Sequence, residues 1–212
     1  MVLLNQLLTF PDPKNSDADG LVAIGGDLSP ERLLVAYKNG IFPWETNPVI
    51  GWYSPDPRCV LVPSEVIISH SMRSLINSGK YSFKLNTSFS EVISSCQKTI
   101  RKGEAGTWIS PELIDSFCVL HKNGYAYSAE TWYNGKLVGG LYGMILGKVF
   151  FGESMFSSSP NASKFALIKF CNYLIKKNIF LIDCQVHSEH LETMGARLIS
   201  RNNFIDILQK LI

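Results

Sequence analysis

The sequence predicts an α+β protein in which a small N-terminal unit precedes a mixed β-sheet with helices. Residues 125–156, YAYSAETWYNGKLVGGLYGMILGKVFFGESMF, predict three strands joined by turns at 134–135 and 147–148. Residues 161–178, NASKFALIKFCNYLIKKN, then have the apolar spacing of an amphipathic helix, and FLIDCQV at 180–186 predicts a buried strand. A strand, helix and strand that follow a meander are typical of a mixed sheet.

The N-terminal unit is assigned to residues 1–62, which are rich in Pro, Gly and Trp. One helix is clear there, because Ser29 is a good N-cap, Pro30 suits the first helical position and Gly40 suits the C-terminal stop. The glycine pair just before it, at 25–26, lacks both the Lys-Ser/Thr ending of a phosphate-binding loop and the full GxGxxG spacing. We therefore interpret the pair as a turn.

The second unit is assigned to residues 63–212. It opens with segments that begin near Ser caps and have helical apolar spacing, at 69–79, 88–103 and 110–124. After the buried strand, SEHLETM predicts a short helix, and ARLISRNNF, residues 196–204, predicts a last strand. This element order is that of acyltransferases of the Gcn5-related type, an argument for an acetyltransferase-like fold but a weak one for function.

Composition excludes several classes of protein. The chain has 212 residues, 46% of them hydrophobic, with neither an apolar run of membrane-spanning length nor a basic leader at its start, so we expect a compact, cytoplasmic protein. We also expect a monomer. Its five cysteines are scattered and never at CxxC spacing, which predicts reduced thiols rather than disulfides or a zinc cluster. A net charge of +2 does not indicate nucleic-acid binding, although a protein that grips one end of an RNA remains compatible with it.

Alternation along the buried strand separates its reactive side chains. Leu181, Asp183 and Gln185 are expected on one face, and Ile182, Cys184 and Val186 on the other. We interpret the thiol at 184 as an apolar packing group, since no basic residue nearby in the sequence lowers its pKa. The polar pair at 183 and 185 needs partners, and spacing alone leaves a structural role and a catalytic role equally open.

Two histidines follow this strand. His187 and His190 lack a clear third ligand, so a capping or surface role is favoured over a metal site.

Several segments together resemble one family, the leucyl/phenylalanyl-tRNA–protein transferases. They are GLVAIGGDLSPERLLVAYKNGIFPW (20–44), WYSPDPRCVL (52–61), GTWISPEL (106–113), LVGGLYG (137–143), FFGESMFSSSPNASKFAL (150–167) and LIDCQ (181–185). The resemblance implies a bacterial enzyme that moves Leu, Phe or, less readily, Met from aminoacyl-tRNA to the α-amine of proteins beginning with Lys or Arg. The product is marked for N-end rule degradation. The resemblance also implies an acetyltransferase-like catalytic domain and no metal or organic cofactor.

The resemblance also implies roles for particular residues. Asp183 and Gln185 match the catalytic relay, in which Gln185 accepts a hydrogen bond from the amine and Asp183 orients the amide. Glu153, expected on one face with Phe151 and Met155, matches a carboxylate that attracts the cationic acceptor residue; the alternative is a salt-bridged structural Glu. The positions that match the pocket for the amino-acid side chain are Leu141, Phe150, Phe170, Leu174 and Ile182, although their spacing alone predicts ordinary core.

Trp44 and Trp108 match aromatic positions that stack on the 3′ terminal adenosine. Tyr127 stands where the family commonly has His, so any role of that His does not carry over.

Two alternative functions stay open on the sequence alone. An acyl-CoA-dependent N-acetyltransferase on the same fold requires an R/QxxGxG/A pyrophosphate loop, which SSSPNASK at 157–164 lacks. A tRNA-end binding module without activity is the other, and the presence of Asp183, Gln185 and Glu153 together argues against it.

Overall fold

The computed structural model describes residues 2–45, 49–99 and 107–212, which form an α+β fold as the sequence predicts. The strands are β1 Leu3–Leu4, β2 Leu21–Gly25, β3 Phe42–Glu45, β4 Gly51–Tyr53, β5 Arg58–Leu61, β6 Ser82–Leu85, β7 Ala126–Tyr133, β8 Lys136–Leu146, β9 Val149–Ser157, β10 Leu181–Gln185 and β11 Arg197–Ile199. The α-helices are α1 Pro30–Lys38, α2 His70–Asn77, α3 Phe89–Lys98, α4 Pro111–Lys122, α5 Ala162–Lys176, α6 Glu189–Glu192 and α7 Arg201–Leu211. Short 3-10 helices lie at Pro13–Asn15 and Pro63–Glu65.

Serine caps fix the starts of several helices, as predicted. The side chains of Ser29, Ser69 and Ser110 accept hydrogen bonds from backbone N–H groups in the first turns of α1, α2 and α4. The helix predicted over 88–103 ends at Lys98 in the structure, and residues 100–103 of that prediction lie outside the described residues.

The prediction of a last strand over 196–204 is wrong beyond Ile199. Ser200 accepts a hydrogen bond from the Asn203 N–H and starts α7, which buries Phe204, Ile205 and Leu208 on one face. That apolar spacing is helical, so the cap and the period together override the strand interpretation. Between the helices predicted at 69–79 and 88–103 the structure also contains a strand that the sequence pattern does not predict, β6.

Within the described residues the strands form two sheets. The smaller has the order β1-β2-β4-β3, and the larger has the order β11-β5-β10-β9-β8-β7-β6. In the larger sheet β9 and β10 are parallel and the other neighbours are antiparallel, because α5 carries the chain from β9 over to β10. The predicted mixed sheet and the order of three strands, a helix and a strand are therefore confirmed.

Both faces of the larger sheet are covered. Phe150 belongs to the core cluster that includes α5, and Phe151 belongs to the cluster that includes α1, α3, α4 and α7. Two adjacent strand residues thus serve opposite layers. No helix in the described part of the chain is long and apolar enough to span a bilayer.

The division into units at residue 62 stays a prediction. β5, which lies before that boundary, pairs with β10 and β11 inside the larger sheet. Tyr37 and Trp52 share a core cluster with Phe117 and Phe151, so the N-terminal residues pack closely on the larger sheet.

Candidate active site

A cavity of about 580 Å³ opens where β9 and β10 separate. Their parallel pairing runs from Leu181–Val149 to Asp183–Phe151, while β9 continues to Ser157. The cavity is lined by Phe42, Pro43, Trp44, Thr99, Trp108, Leu141, Tyr142, Phe150, Gly152, Glu153, Ser154, Met155, Phe156, Ser157, Ser163, Leu167, Ile182, Cys184, Gln185, Val186, His187, Ser188, His190 and Leu191. Residues distant in sequence therefore meet at one break in the sheet.

A bulge in β9 directs Glu153 into the cavity. Tyr142 pairs with Ser154 and Gly143 with Gly152, so Glu153 is the extra residue on its strand. The predicted alternation, which placed Glu153 on one face with Phe151 and Met155, is wrong for this reason. Phe151 packs in one core cluster and Met155 against the other, on the opposite side of the sheet.

A second bulge occurs in β10. Asp183 pairs with Val60 and Gln185 with Cys59, so Cys184 is the extra residue. Gln185 has a φ of +63°, in the left-handed region that few residues other than glycine adopt. The bulge brings Gln185 into the cavity beside Glu153, whereas regular alternation would keep it on the same side as Asp183.

We call the residues Leu141, Phe150 and Ile182 the apolar side of the cavity. All three are at most 3% exposed and belong to the cluster that includes α5. Phe170, also predicted for the pocket, is fully buried, with its ring centroid 4.7 Å from that of Phe150. Leu174 is fully buried in the same cluster, so these two residues support the cavity surface from within the core.

Both predicted tryptophans reach the cavity. Trp44 on β3 is 37% exposed, and its ring makes an edge contact with Tyr53 at a centroid distance of 5.7 Å. Trp108 precedes α4 and is partly buried against the core. Exposed aromatic surface at a cavity is suited to stacking on a planar group such as a nucleobase.

We call Glu153 and Gln185 the polar side of the cavity. The Gln185 side-chain N–H donates to Glu153 Oε1 over 2.9 Å, and both residues are more than nine-tenths buried. With its nitrogen engaged in this bond, the Gln185 amide has its carbonyl oxygen to offer to a donor. The second oxygen of Glu153, Oε2, is buried and has no hydrogen-bond partner among the described residues.

Burial raises the pKa of Glu153 to about 8, from an ordinary value of 4.5. Contacts with Tyr37 and Gln185 lower it less than burial raises it, and the nearby Asp183 raises it further. The Tyr37 hydroxyl lies near enough for its own pKa to rise, mainly through burial and then through Glu153, although it forms no hydrogen bond of normal geometry with any described residue. A carboxyl in this setting is neutral near pH 7 until a cation approaches it.

Asp183 is fully buried and is bound by Arg58 on β5. The Arg58 Nε donates to Asp183 Oδ1 over 2.8 Å and Nη2 donates to Oδ2 over 2.7 Å. The backbone N–H of Gln185 also donates to Asp183 Oδ1, over 3.0 Å. Asp183 therefore binds the backbone N–H of Gln185. The Gln185 side-chain amide donates instead to Glu153.

The surroundings of Cys184 and His187 do not indicate a reactive role. Cys184 is partly buried against the core and lines the cavity, and its interaction with the Cys59 thiol, together with burial, raises its pKa. A thiol with a raised pKa is a poor nucleophile at neutral pH. The His187 ring pairs with Glu192 at 2.9 Å on the surface.

Sequence reasoning missed Arg58 and Tyr37 as neighbours of the site. An arginine that begins the apolar strand RCVL is unusual, because a buried guanidinium needs a carboxylate partner. That position would have predicted a partner such as Asp183. Tyr37 carried no such signal, since its place on α1 is that of ordinary core.

Comparison with known proteins gives consistent matches. A family model described as leucyl/phenylalanyl-tRNA protein transferase matches residues 60–209, and one described as the N-terminal domain of that protein matches residues 26–56. A relative from Flavobacterium johnsoniae is 52% identical over 99% of both chains, and one from Flavobacterium psychrophilum is 49% identical over 99% of this chain and all of its own. A third, from Syntrophobacter fumaroxidans, is 47% identical over 97% of this chain and 88% of its own. All three bear the name leucyl/phenylalanyl-tRNA–protein transferase.

Proposed function

This chain belongs to the leucyl/phenylalanyl-tRNA–protein transferase family, and we propose that the cavity between β9 and β10 is its active site. The enzyme transfers an amino acid from aminoacyl-tRNA to a protein. We propose Leu, Phe and, less readily, Met as the amino acids, and the α-amine of proteins with N-terminal Lys or Arg as the acceptor. Such transfer would mark these proteins for N-end rule degradation, and we expect it to occur in the cytoplasm on a monomeric enzyme.

One observation carries the assignment of the site: an apolar surface and a buried carboxyl–amide pair face the same cavity. The apolar side receives the side chain of the transferred residue. Full burial of a Leu or Phe side chain contributes about 1.5–3 kcal/mol, which distinguishes it from polar and smaller residues. The two tryptophans at the cavity, Trp44 and Trp108, receive the terminal adenosine by stacking.

The polar side receives the acceptor amine. An α-amine has an ordinary pKa of about 7.7–8.0, so a useful fraction is neutral at neutral pH. The carbonyl oxygen of Gln185 accepts a hydrogen bond from this amine and directs its lone pair at the ester carbon. The amine forms the new C–N bond, the C–O bond to the ribose breaks, and the proton lost by the amine goes to the departing 3′ oxygen.

Glu153 supplies selectivity for a cationic first residue. Its Oε1 is bonded to Gln185, and its buried Oε2 has no partner among the described residues. A Lys or Arg side chain of the acceptor that approaches the Glu153 carboxyl from the cavity would favour the ionised carboxylate. A neutral or acidic first residue would leave the carboxyl protonated.

The transfer reaction has no chemical step that demands a cofactor, because the aminoacyl ester is already activated. The acyl-CoA alternative also fits the chain poorly. α5 begins after Asn161 in the left-handed conformation, without the glycine-rich pyrophosphate loop that such enzymes place at this helix. Family membership favours tRNA as the acyl donor.

The assay that tests this function uses labelled Phe-tRNA with two peptides that differ only in their first residue, Arg or Glu. We expect label on the Arg peptide and little on the Glu peptide. Acetyl-CoA in place of Phe-tRNA should give no modified peptide. Binding of Phe-tRNA without transfer to either peptide would contradict the enzymatic function, and equal transfer to both would contradict the acceptor preference.

A further inference from the structure

The most deeply buried ion pair of the site includes a residue outside the cavity surface, Arg58. Its guanidinium and the carboxylate of Asp183 are both completely buried and joined by two parallel hydrogen bonds, at 2.8 and 2.7 Å. This two-point geometry fixes the orientation of the carboxylate as well as its position. A single-point cation such as lysine would leave that orientation free.

The surroundings of Arg58 hold it in place from two directions. Its guanidinium carbon lies 4.8 Å from the ring centroid of Phe42 on β3 and 4.5 Å from that of Phe204 on α7. Arg58 also begins β5, the strand that pairs with β10 across the bulge. The guanidinium is thus held between two aromatic rings on separate elements, β3 and α7.

This ion pair is a poor source of stability. Desolvation of two buried charges largely offsets their attraction. The remaining nitrogen of Arg58, Nη1, is buried with no hydrogen-bond partner among the described residues. We therefore consider how the ion pair orients the Asp183 carboxylate, and not how much it adds to the free energy of unfolding.

This orienting effect is transmitted to Gln185. Asp183 Oδ1, held by Arg58, accepts the backbone N–H of Gln185 over 3.0 Å. Gln185 is thereby fixed at a positive φ, which a residue with a side chain adopts only when its surroundings impose it. This conformation directs its amide toward Glu153 and into the cavity.

We propose that Arg58 is a positioning residue for the transfer reaction: it orients Asp183, whose carboxylate in turn holds the backbone of Gln185 in its active conformation. The inference rests on the proposed role of Gln185. It assigns Asp183 a supporting role behind Gln185, out of contact with the substrate. For the transfer rate, the negative charge of Asp183 is then less important than the oxygen, Oδ1, that accepts the Gln185 N–H.

The chain offers a matched control in Arg32. This arginine is also completely buried, and it donates to Asp27 Oδ2 from Nε at 3.2 Å and from Nη2 at 3.1 Å. Its Nη1 donates to the Leu7 carbonyl, so this pair fastens the N-terminal segment and not β10. The replacement of a buried arginine that is paired with an aspartate can therefore be compared at two places, one beside the cavity and one away from it.

The experiment measures kcat and KM for Phe-tRNA in wild type, Arg58→Lys, Arg32→Lys, Asp183→Asn and Asp183→Ala, with thermal unfolding of each protein. Arg58→Lys should lower kcat about 100-fold, the scale of a small misplacement of a catalytic group, while KM changes less than about threefold. Arg32→Lys should lower the melting temperature but keep kcat within about threefold of wild type, because Arg32 lies away from the cavity. Asp183→Asn retains an acceptor for the Gln185 N–H but sets an amide N–H₂ group against Arg58 Nη2, so it should lower kcat about as much as Arg58→Lys does and less than Asp183→Ala does.

Two results would overturn the inference. One is a folded Arg58→Lys variant with wild-type kcat. The other is a folded Asp183→Asn variant as inactive as Asp183→Ala, which would show that the charge of Asp183 acts on the reaction itself. The second result is decisive even when Arg58→Lys does not fold. An inactive wild type would instead contradict the proposed function.

Discussion

The apolar and polar sides of the cavity are built by different means. Leu141, Phe150 and Ile182 occupy regular strand positions, so ordinary alternation brings their side chains together. Glu153 and Gln185 meet because each lies at a bulge, one in β9 and one in β10. The apolar side depends on volume and should respond gradually to substitution, whereas the polar side depends on single hydrogen bonds and should respond sharply.

The largest expected effect follows from Asp183→Ala. This change removes the acceptor of the Gln185 N–H and leaves the buried Arg58 without its carboxylate. We expect kcat to fall about 100-fold or more, and the free energy of unfolding to fall by about 3–5 kcal/mol. Steady-state kinetics and urea denaturation check both values. A stable, active variant would contradict the role of Asp183 in holding Gln185 in place.

A smaller effect is expected from Leu141→Phe, which reduces the volume of the apolar side. Leu141 is 3% exposed and lines the cavity, so the ring of the introduced Phe fills volume that the transferred side chain needs. We expect kcat/KM for Phe-tRNA to fall about 10–100-fold, with KM for an Arg-starting peptide changed less than about threefold. A loss confined to the peptide would contradict the separation of the two sides.

Glu153→Gln should mainly affect the acceptor. The variant keeps an oxygen for the Gln185 N–H but can no longer ionise when a cation approaches. We expect KM for Lys- or Arg-starting peptides to rise about tenfold while binding of Phe-tRNA stays unchanged. Equal loss in a peptide titration and a tRNA binding assay would contradict the acceptor role.

The same variant tests the pKa of Glu153. Burial raises that pKa from 4.5 to about 8, so the folded protein holds the proton more tightly than the unfolded chain does. The contribution of the protonated Glu153 to the free energy of unfolding is therefore fully present below about pH 4.5, and it is lost as the pH rises toward about 8. Melting temperatures of wild type and Glu153→Gln should diverge with rising pH in favour of the variant, and parallel curves would contradict the raised pKa.

The smallest effect is expected from Cys184→Ser. Cys184 lies between Asp183 and Gln185 and lines the cavity, but its thiol has a raised pKa and is not needed for the proposed transfer. We expect transfer within about threefold of wild type, at a modest loss of stability from burying a hydroxyl. A folded but inactive serine variant would show that the reaction needs the Cys184 thiol.

Local patterns allowed much of the fold to be predicted from the sequence. Ser29, Ser69 and Ser110 fixed helix starts, and NG at 134–135 fixed a hairpin, because caps and tight turns depend on residues close in sequence. The strand at 181–185 was also correct. The predicted last strand continues too far, because Ser200 caps α7 and the residues after it have helical apolar spacing.

The geometry of the site was not predictable in the same way. A bulge depends on the pairing of two strands, and the single sequence of β9 or β10 does not reveal where an extra residue will fall. The partnership of Arg58 and Asp183 joins residues 125 positions apart. The roles taken from the family resemblance for Glu153 and Gln185 stay predictions, and the structure gives them a mutual contact that spacing could not indicate.

The most direct measurement is a crystal structure with a non-hydrolysable phenylalanyl-adenosine analogue. We expect the phenyl ring to lie against Leu141, Phe150 and Ile182, with the adenine ring beside Trp44 or Trp108. The carbonyl carbon should lie on the polar side, within reach of an amine bonded to Gln185. A phenyl ring packed at Glu153, or an analogue bound outside this cavity, would contradict the account.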